Sequence, residues 1–135
     1  MKHLARLHEK EEGLEVARRF LEKSAAGEAV RPGGESRSVL EARLKLGTTW
    51  TRVVSEPFLE VRFQVEDVLD VEEATALAEN YLEATGLQDF PHVTVCAQDE
   101  DATRIGVVAC RVRLVDCPEH GLRPTVADPD LEQGA

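Results

Sequence analysis

The side chains of this chain that are able to bind a metal or act as nucleophiles lie mostly in its last third. They are two histidines and three cysteines: His92, Cys96, Cys110, Cys117 and His120. Cys117 and His120 have the C-x2-H spacing of half a zinc site, and zinc prefers thiolate and imidazole ligands. No second pair completes the site, and in an extended strand Cys117 would lie roughly 23 Å beyond Cys110. We therefore predict no metal site and small buried thiols at Cys96 and Cys110, and leave open whether Cys117 and His120 bind metal.

No arrangement of residues predicts catalysis or a cofactor. Cys117 and His120 are near enough in sequence for a nucleophile and its base, but neither follows a strand in a glycine-rich turn, and no third residue is placed to orient the histidine. The segment 33–36 is glycine-rich but lacks the Lys-Ser/Thr of a phosphate-binding loop. The motifs GxSxG, HExxH and GxGxxG are absent. We expect a protein that is not an enzyme, although a catalytic pocket is not visible in a sequence.

Charge is distributed unevenly along the chain, whose formal net charge is -10. Residues 1–66 contain 12 Lys or Arg and 11 Asp or Glu, whereas residues 67–135 contain 4 and 15. No Lys or Arg lies between Arg62 and Arg104. Such a segment produces a negative potential that attracts basic partners and repels phosphate. The simpler alternative is that these charges only keep the protein in solution. The pattern predicts an acidic docking face made of Glu72, Glu79, Glu83, Asp99, Glu100 and Asp101.

Size and composition restrict the class of protein. A chain of 135 residues, 42% of them apolar, is long enough for one domain with its own core. No apolar run approaches the roughly 20 residues that span a bilayer, and the charged N-terminus lacks the apolar segment of a secretory signal. Three cysteines do not suggest a disulfide framework. We expect a cytoplasmic protein that does not bind a membrane.

The N-terminal segment is predicted to be a helix over residues 2–23, because its apolar residues recur at helical spacing. We interpret residues 1–23 as a helix arm. Residues 24–38 are rich in Ala, Gly and Ser and contain Pro-Gly-Gly, which indicates a flexible connector. The apolar stripes of the arm, together with the single Trp, are candidates for an oligomer interface: Leu4, Leu7, Leu14, Val16, Phe20 and Trp50.

The core domain is predicted at 39–118, where the apolar period changes to two. Asp70 and Glu73 have the spacing of a capping box, and Gly86 ends the helix that follows. The acidic, proline-rich residues 119–135 are expected to be a disordered tail. Strands are predicted at 39–46, 48–54, 58–66, 92–98 and 104–115. The fold class is α+β, an antiparallel sheet of four to five strands with one helix packed on one face, plus the helix arm, in the order α-β-β-(β)-α-β-β.

The sheet face opposite this helix is predicted to be basic. Such a face binds single-stranded RNA in several folds, but those folds stack bases on aromatic side chains, and aromatic residues are only 4% of this chain. Direct nucleic-acid binding is therefore disfavoured, and self-association is the alternative use of the face. Whether the face is functional is left open. It is formed by Arg43, Lys45, Arg62, Arg111 and Arg113.

Three functional hypotheses follow from these patterns. The first is a non-catalytic protein–protein interaction protein whose acidic face masks a basic, nucleic-acid-binding partner, as an inhibitor, an immunity protein or a phage-type anti-defence protein would. The second is a structural assembly subunit, a phage-like homo-oligomer that uses the helix arm. The third is a small α+β enzyme or ligand-binding domain. The charge pattern favours the first.

Overall fold

The computed structural model of the chain describes residues 2–25, 29–32 and 54–128. Seven strands and two helices lie in these ranges. They are β1 (Lys2–His8), α1 (Lys10–Ala25), β2 (Ala29–Pro32), β3 (Phe58–Val65), α2 (Val71–Thr85), β4 (His92–Gln98), β5 (Thr103–Cys110), β6 (Val112–Cys117) and β7 (Gly121–Val126). Neither helix is long and apolar enough to cross a bilayer.

Five strands form one antiparallel sheet in the order β1-β3-β5-β4-β2. The strands β6 and β7 form a separate antiparallel hairpin. The predicted α+β class with an antiparallel sheet is confirmed. Strand β3 lies where the sequence predicted it, since Leu59, Val61 and Phe63 alternate with polar residues and are all buried.

The two helices pack on opposite faces of the sheet. Helix α2 covers the face of Leu59, Val61 and Phe63. Helix α1 covers the other face, on which Phe58 and Val108 lie. The sheet is thus buried on two sides, whereas the sequence predicted one helix on one face and an arm. The arm prediction failed because the apolar side of α1 is needed to cover the second face of the domain's own sheet.

The first residues of the chain are a strand, which corrects the predicted helix over residues 2–23. Leu4 and Leu7 are three residues apart, a spacing that fits a helix, but they lie on opposite sides of β1. Ala5 and Leu7 pack against the core on the α2 side. All seven residues of β1 pair with β3, from Lys2 opposite Gln64 onward. This backbone pairing outweighs the helical spacing of two leucines.

Two further boundaries differ from the prediction. The connector at 24–38 contains β2, which pairs with β4 at the sheet edge from Ala29 opposite Cys96. The tail at 119–135 contains β7, and the guanidinium of Arg111 donates to the carbonyl of Ala127 just beyond it. The last predicted strand is divided at Arg111 into β5 and β6. The strands predicted at 39–46 and 48–54 fall almost entirely outside the described residues.

Local signals fix the helix ends and the approach of α1 to the sheet. The backbone N–H of Glu73 donates to Oδ1 of Asp70 at 2.7 Å, and Gly86 closes α2 with φ of 77°, as the predicted capping box and stop require. Gly13 lies where α1 crosses β3. A Cβ built on Gly13 would lie 2.2 to 2.5 Å from three carbons of Phe58, so only glycine allows this approach.

Candidate docking surface

The outer side of α2 carries a row of carboxylates. Glu72, Glu79 and Glu83 are exposed, and the opposite side of the helix buries Ala78 and Leu82 in the core. Eleven residues at 1.5 Å each separate Glu72 from Glu83, so the row is roughly 16 Å long. Because the apolar side holds the helix on the sheet, this row faces away from the domain.

The loop between β4 and β5 carries the second acidic group. Asp99, Glu100 and Asp101 are exposed, and the N–H of Asp99 donates to the carbonyl of Ala102 at 2.8 Å, which closes the turn. Arg104 lies 3.2 Å from a carboxylate oxygen of Asp99. Both side chains are largely exposed, so this ion pair contributes little to stability.

Hydrogen bonds join the loop to the start of α2. The hydroxyl of Thr103 donates to the carbonyl of Asp67 at 2.9 Å and accepts from the N–H of Leu69 at 2.8 Å. The side-chain amide of Gln98 donates to the carbonyl of Leu69. Thr103 is fully buried, so these contacts are protected from water. The chain before α2 and the β4–β5 loop therefore lie side by side.

These contacts bring some of the predicted docking residues together and leave others apart. Glu72 lies at the end of α2 nearest the loop, whereas Glu79 and Glu83 lie two and three turns further along the helix. Exposed Asp67 and Asp70, which the prediction did not include, lie between the row and the loop. We call the combined set the acidic surface: Asp67, Asp70, Glu72, Glu79, Glu83, Asp99, Glu100 and Asp101.

One basic residue lies in the segment of the sequence that forms the acidic surface. Arg104 is the only Lys or Arg between residues 63 and 110, and it is engaged with Asp99. Helix α2 has acidic residues in its first turn, where the positive end of the helix dipole stabilises them, and no basic residue in its last turn. The surface can therefore attract a cationic partner over about 10 Å at moderate ionic strength.

The residues predicted for an oligomer interface have different surroundings. Val16 and Phe20 are buried in the domain's own core, which accounts for their apolar character without a partner. Leu7 and Leu14 are half-buried against the two sides of the core. Leu4 is 65% exposed on β1. Trp50 lies outside the described residues.

The predicted basic face is largely covered by α1, which corrects that expectation. Arg111 is buried, and its guanidinium donates to the carbonyl of Glu56 at 2.8 Å, so it holds the chain together locally. The guanidinium of Arg113 lies 5.1 Å from the centre of the Phe90 ring. Arg62 remains accessible. Arg43 and Lys45 lie outside the described residues.

The cysteines and histidines of the last third are spread over several elements. Cys96 and Cys110 are buried. Burial raises the pKa of the Cys110 thiol to about 11, which keeps it neutral and unreactive. Cys117 and His120 flank the β6–β7 turn, where the N–H of His120 donates to the carbonyl of Cys117 at 3.0 Å. In the described part of the chain, no three His, Cys, Asp or Glu side chains are grouped to hold a metal ion.

The prediction missed a polar cluster beside the start of α1 that is centred on two buried residues, His8 and Glu60. Nδ1 of His8 lies 2.6 Å from a carboxylate oxygen of Glu12, and Nε2 lies 2.7 Å from one of Glu60. The two ring nitrogens thus each have a carboxylate partner, one on α1 and one on β3. Arg62 donates to the other oxygen of Glu60 at 2.8 Å. The alternation of β3 gave the only signal, and it indicated a solvent-exposed Glu60.

No family model, curated protein or solved structure matches the chain.

Proposed function

We propose that the chain is a non-catalytic protein–protein interaction protein that docks its acidic surface on a basic surface of a partner. The observation that carries this proposal is the pair of hydrogen bonds made by Thr103, which hold the start of α2 beside the β4–β5 loop. Two acidic segments that are about 30 residues apart in sequence thereby act as one surface. Their carboxylates are exposed, so binding a cation does not require the domain to open.

The chemistry of the acidic surface favours a basic, nucleic-acid-binding partner. Such a partner carries clustered Lys and Arg that normally contact phosphates. A rigid row of carboxylates competes for the same cations, and the partner's like-charged ligands are repelled. An inhibitor, an immunity protein or a phage-type anti-defence protein would act in this way. The cytosol is the compartment that we propose for it.

A defined cationic probe tests the proposal. We would measure binding of a deca-arginine peptide by isothermal titration calorimetry, for the wild type and for the double variant Glu79→Lys/Glu83→Lys. The matched control is Glu11→Lys/Glu22→Lys, which changes the net charge equally on the exposed side of α1. We expect the α2 variant to bind at least about ten-fold more weakly at low salt, and the control to bind within about three-fold of the wild type.

The comparison between the two variants decides the outcome. Equal weakening in both would mean that the peptide senses only the net charge, and the docking role would be wrong. Unchanged binding in the α2 variant would exclude that role as well. Thermal unfolding of each variant verifies that the exposed substitutions leave the domain folded.

One observation favours the second candidate, a structural assembly subunit. Strand β1 is an edge of the five-stranded sheet and, among the described residues, pairs only with β3. Leu4 is 65% exposed on it, and an open edge strand with an exposed apolar side chain is a site for pairing with another copy. Native mass measurements test this. Leu4→Lys should reduce an oligomer to monomer, whereas Leu122→Lys on β7, where the leucine is 56% exposed, should not. A monomeric wild type would contradict the candidate.

A further inference from the structure

The α1 side of the sheet has an open groove that lies away from the acidic row on α2. Its volume is about 470 Å³, within the range of small-molecule sites. A row of residues in register across four strands forms its floor: Leu4 on β1, Arg62 on β3, Gly106 on β5 and Val95 on β4. Phe20 of α1 forms one wall.

The ring of Phe20 covers the middle of the floor, where Gly106 has no side chain. A Cβ on Gly106 would lie 3.0 Å from Cζ of Phe20, so the ring approaches the backbone of β5 closely. The guanidinium carbon of Arg62 lies 5.9 Å from the centre of the same ring. Val95 and Ala97 extend the apolar surface along β4. The small side chain of Ala97, which is only half-buried, leaves room beside Phe20 for a planar apolar group.

The charge of the groove is opposite to that of the whole chain. The described residues that line it include two arginines, Arg62 and Arg104, and no carboxylate. Each guanidinium is held from outside the groove: Arg62 lies 2.6 Å from Glu60, and Arg104 lies 3.2 Å from Asp99. The side chains nevertheless remain 58% and 63% exposed. The carboxylates therefore fix the orientation of two cations that, among the described residues, still have N–H groups without a partner.

Arg62 on β3 shares the carboxylate of Glu60 with the imidazole of His8. Oε1 of Glu60 faces Nε2 of the buried His8, and only Oε2 faces Arg62. Glu60 is thus already partly satisfied on the side away from the groove. Arg62 is consequently better able to bind a second anion than an arginine whose carboxylate has no other partner.

We propose that this groove binds a small molecule consisting of a planar apolar ring and one anionic group. The ring packs on Ala97 beside Phe20, and the anionic group is bound between Arg62 and Arg104. Guanidinium groups form charge-assisted hydrogen bonds with carboxylate and phosphate, so either anion fulfils this chemistry. The groove touches the loop part of the acidic surface, because Arg104 is paired with Asp99. It lies on the other side of the sheet from the row on α2, and its binding of a small molecule does not depend on the docking function proposed above.

A matched pair of probes tests the ring and the charge separately. Binding of 2-naphthoate and of the neutral 2-naphthalenemethanol would be measured by protein-observed NMR titration on the full chain. We expect saturable one-site binding of the naphthoate, and binding of the alcohol at least about five-fold weaker because it forms no charge-assisted hydrogen bonds. Equal affinity for the two probes, or no saturable binding, would overturn the proposal.

Variants test the place of binding. Arg104→Gln should weaken naphthoate binding by about five-fold, whereas Arg123→Gln, an exposed arginine on β7, should leave it within about two-fold. Ala97→Phe fills the groove without removing either cation and should abolish binding. The docking variant Glu79→Lys/Glu83→Lys should bind naphthoate as the wild type does, so each function can fail without the other. Naphthoate binding that survives both Arg104→Gln and Ala97→Phe would refute the site.

Discussion

The substitution Gly13→Ala is expected to destabilise the domain although it improves helix propensity. Alanine is favoured over glycine in a helix interior by about 1 kcal/mol. The new Cβ would lie 2.2 Å from Cδ2, 2.4 Å from Cγ and 2.5 Å from Cβ of Phe58, more than 1 Å closer than ordinary contact. Rotation of the Phe58 ring does not remove the clash, because its own Cβ is among the three atoms.

The free-energy cost of Gly13→Ala depends on which groups have to move. Phe58 is fully buried in β3, so α1 must shift outward and loosen the contacts of Val16 and Phe20. Overpacking that forces the backbone to move costs about 1–3 kcal/mol, and occasionally more. After the propensity gain, we expect the free energy of unfolding to fall by about 2 kcal/mol, which for a domain of this size lowers Tm by roughly 6–10 °C.

Urea denaturation of the wild type, Gly13→Ala, Phe58→Ala and the double variant measures this prediction as a cycle. The penalty of Gly13→Ala should be smaller in the Phe58→Ala background, because two of the three clashing atoms are gone. Gly106→Ala is the matched glycine control. Its Cβ would meet only the far end of the Phe20 ring at 3.0 Å, so a change within about 1 kcal/mol is expected. A Gly13→Ala protein as stable as the wild type would refute the close packing of α1 on β3.

Three further predictions concern the thiols and the end of α2. In the folded protein, a thiol reagent should modify the half-buried Cys117 at least about 100-fold faster than the buried Cys96 and Cys110; rapid modification of more than one thiol would contradict the burial. Because the pKa of Cys110 is raised to about 11 from its ordinary 9.0, only the unfolded chain loses this proton between those values. The contribution of Cys110 to stability is therefore present below pH 9 and falls by about 2 kcal/mol on approaching pH 11. Urea denaturation of Cys110→Ala should lack this component of the pH dependence, and an identical pH dependence would disprove it. Gly86→Ala should cost about 1 kcal/mol because φ is 77°, and Gly86→Asn should cost less; a neutral alanine variant would argue against this helix end.

The elements that the sequence predicted well are those with a local cause. The helix α2 follows from the capping box of Asp70 and from Gly86, both of which act within a few residues. The strand β3 follows from strict alternation on a chain segment with strong β propensity. The exposed positions of the acidic residues on α2 follow from the same periodicity, since the apolar side of the helix is clear.

The features that it missed depend on distant partners. Strand β1 forms because all seven of its residues pair with β3. The residues near Leu4 give no local signal of that pairing. Glu60 is buried because α1 covers its side of the sheet, and its carboxylate has a polar partner there, Nε2 of His8 at 2.7 Å. The hydroxyl of Thr103 binds backbone groups of Asp67 and Leu69, and a pattern of side chains does not reveal such contacts. Sequence periodicity thus identifies which side of an element is apolar, but not which element covers it.

The strand pairing imposes an order on folding. Strands β1 and β2, in the first 32 residues, pair with β3 and β4 and not with each other. During synthesis, these segments leave the ribosome well before residues 58–98, and the apolar side of α1 is exposed to solvent in the meantime. The segment from β3 to β5 contains its own hairpin and helix, and contacts at short sequence separation form fastest. The nucleus should therefore form in residues 58–110, and β1 and β2 should add to its two edges afterwards, which leaves the nascent chain open to aggregation until this segment has been synthesised.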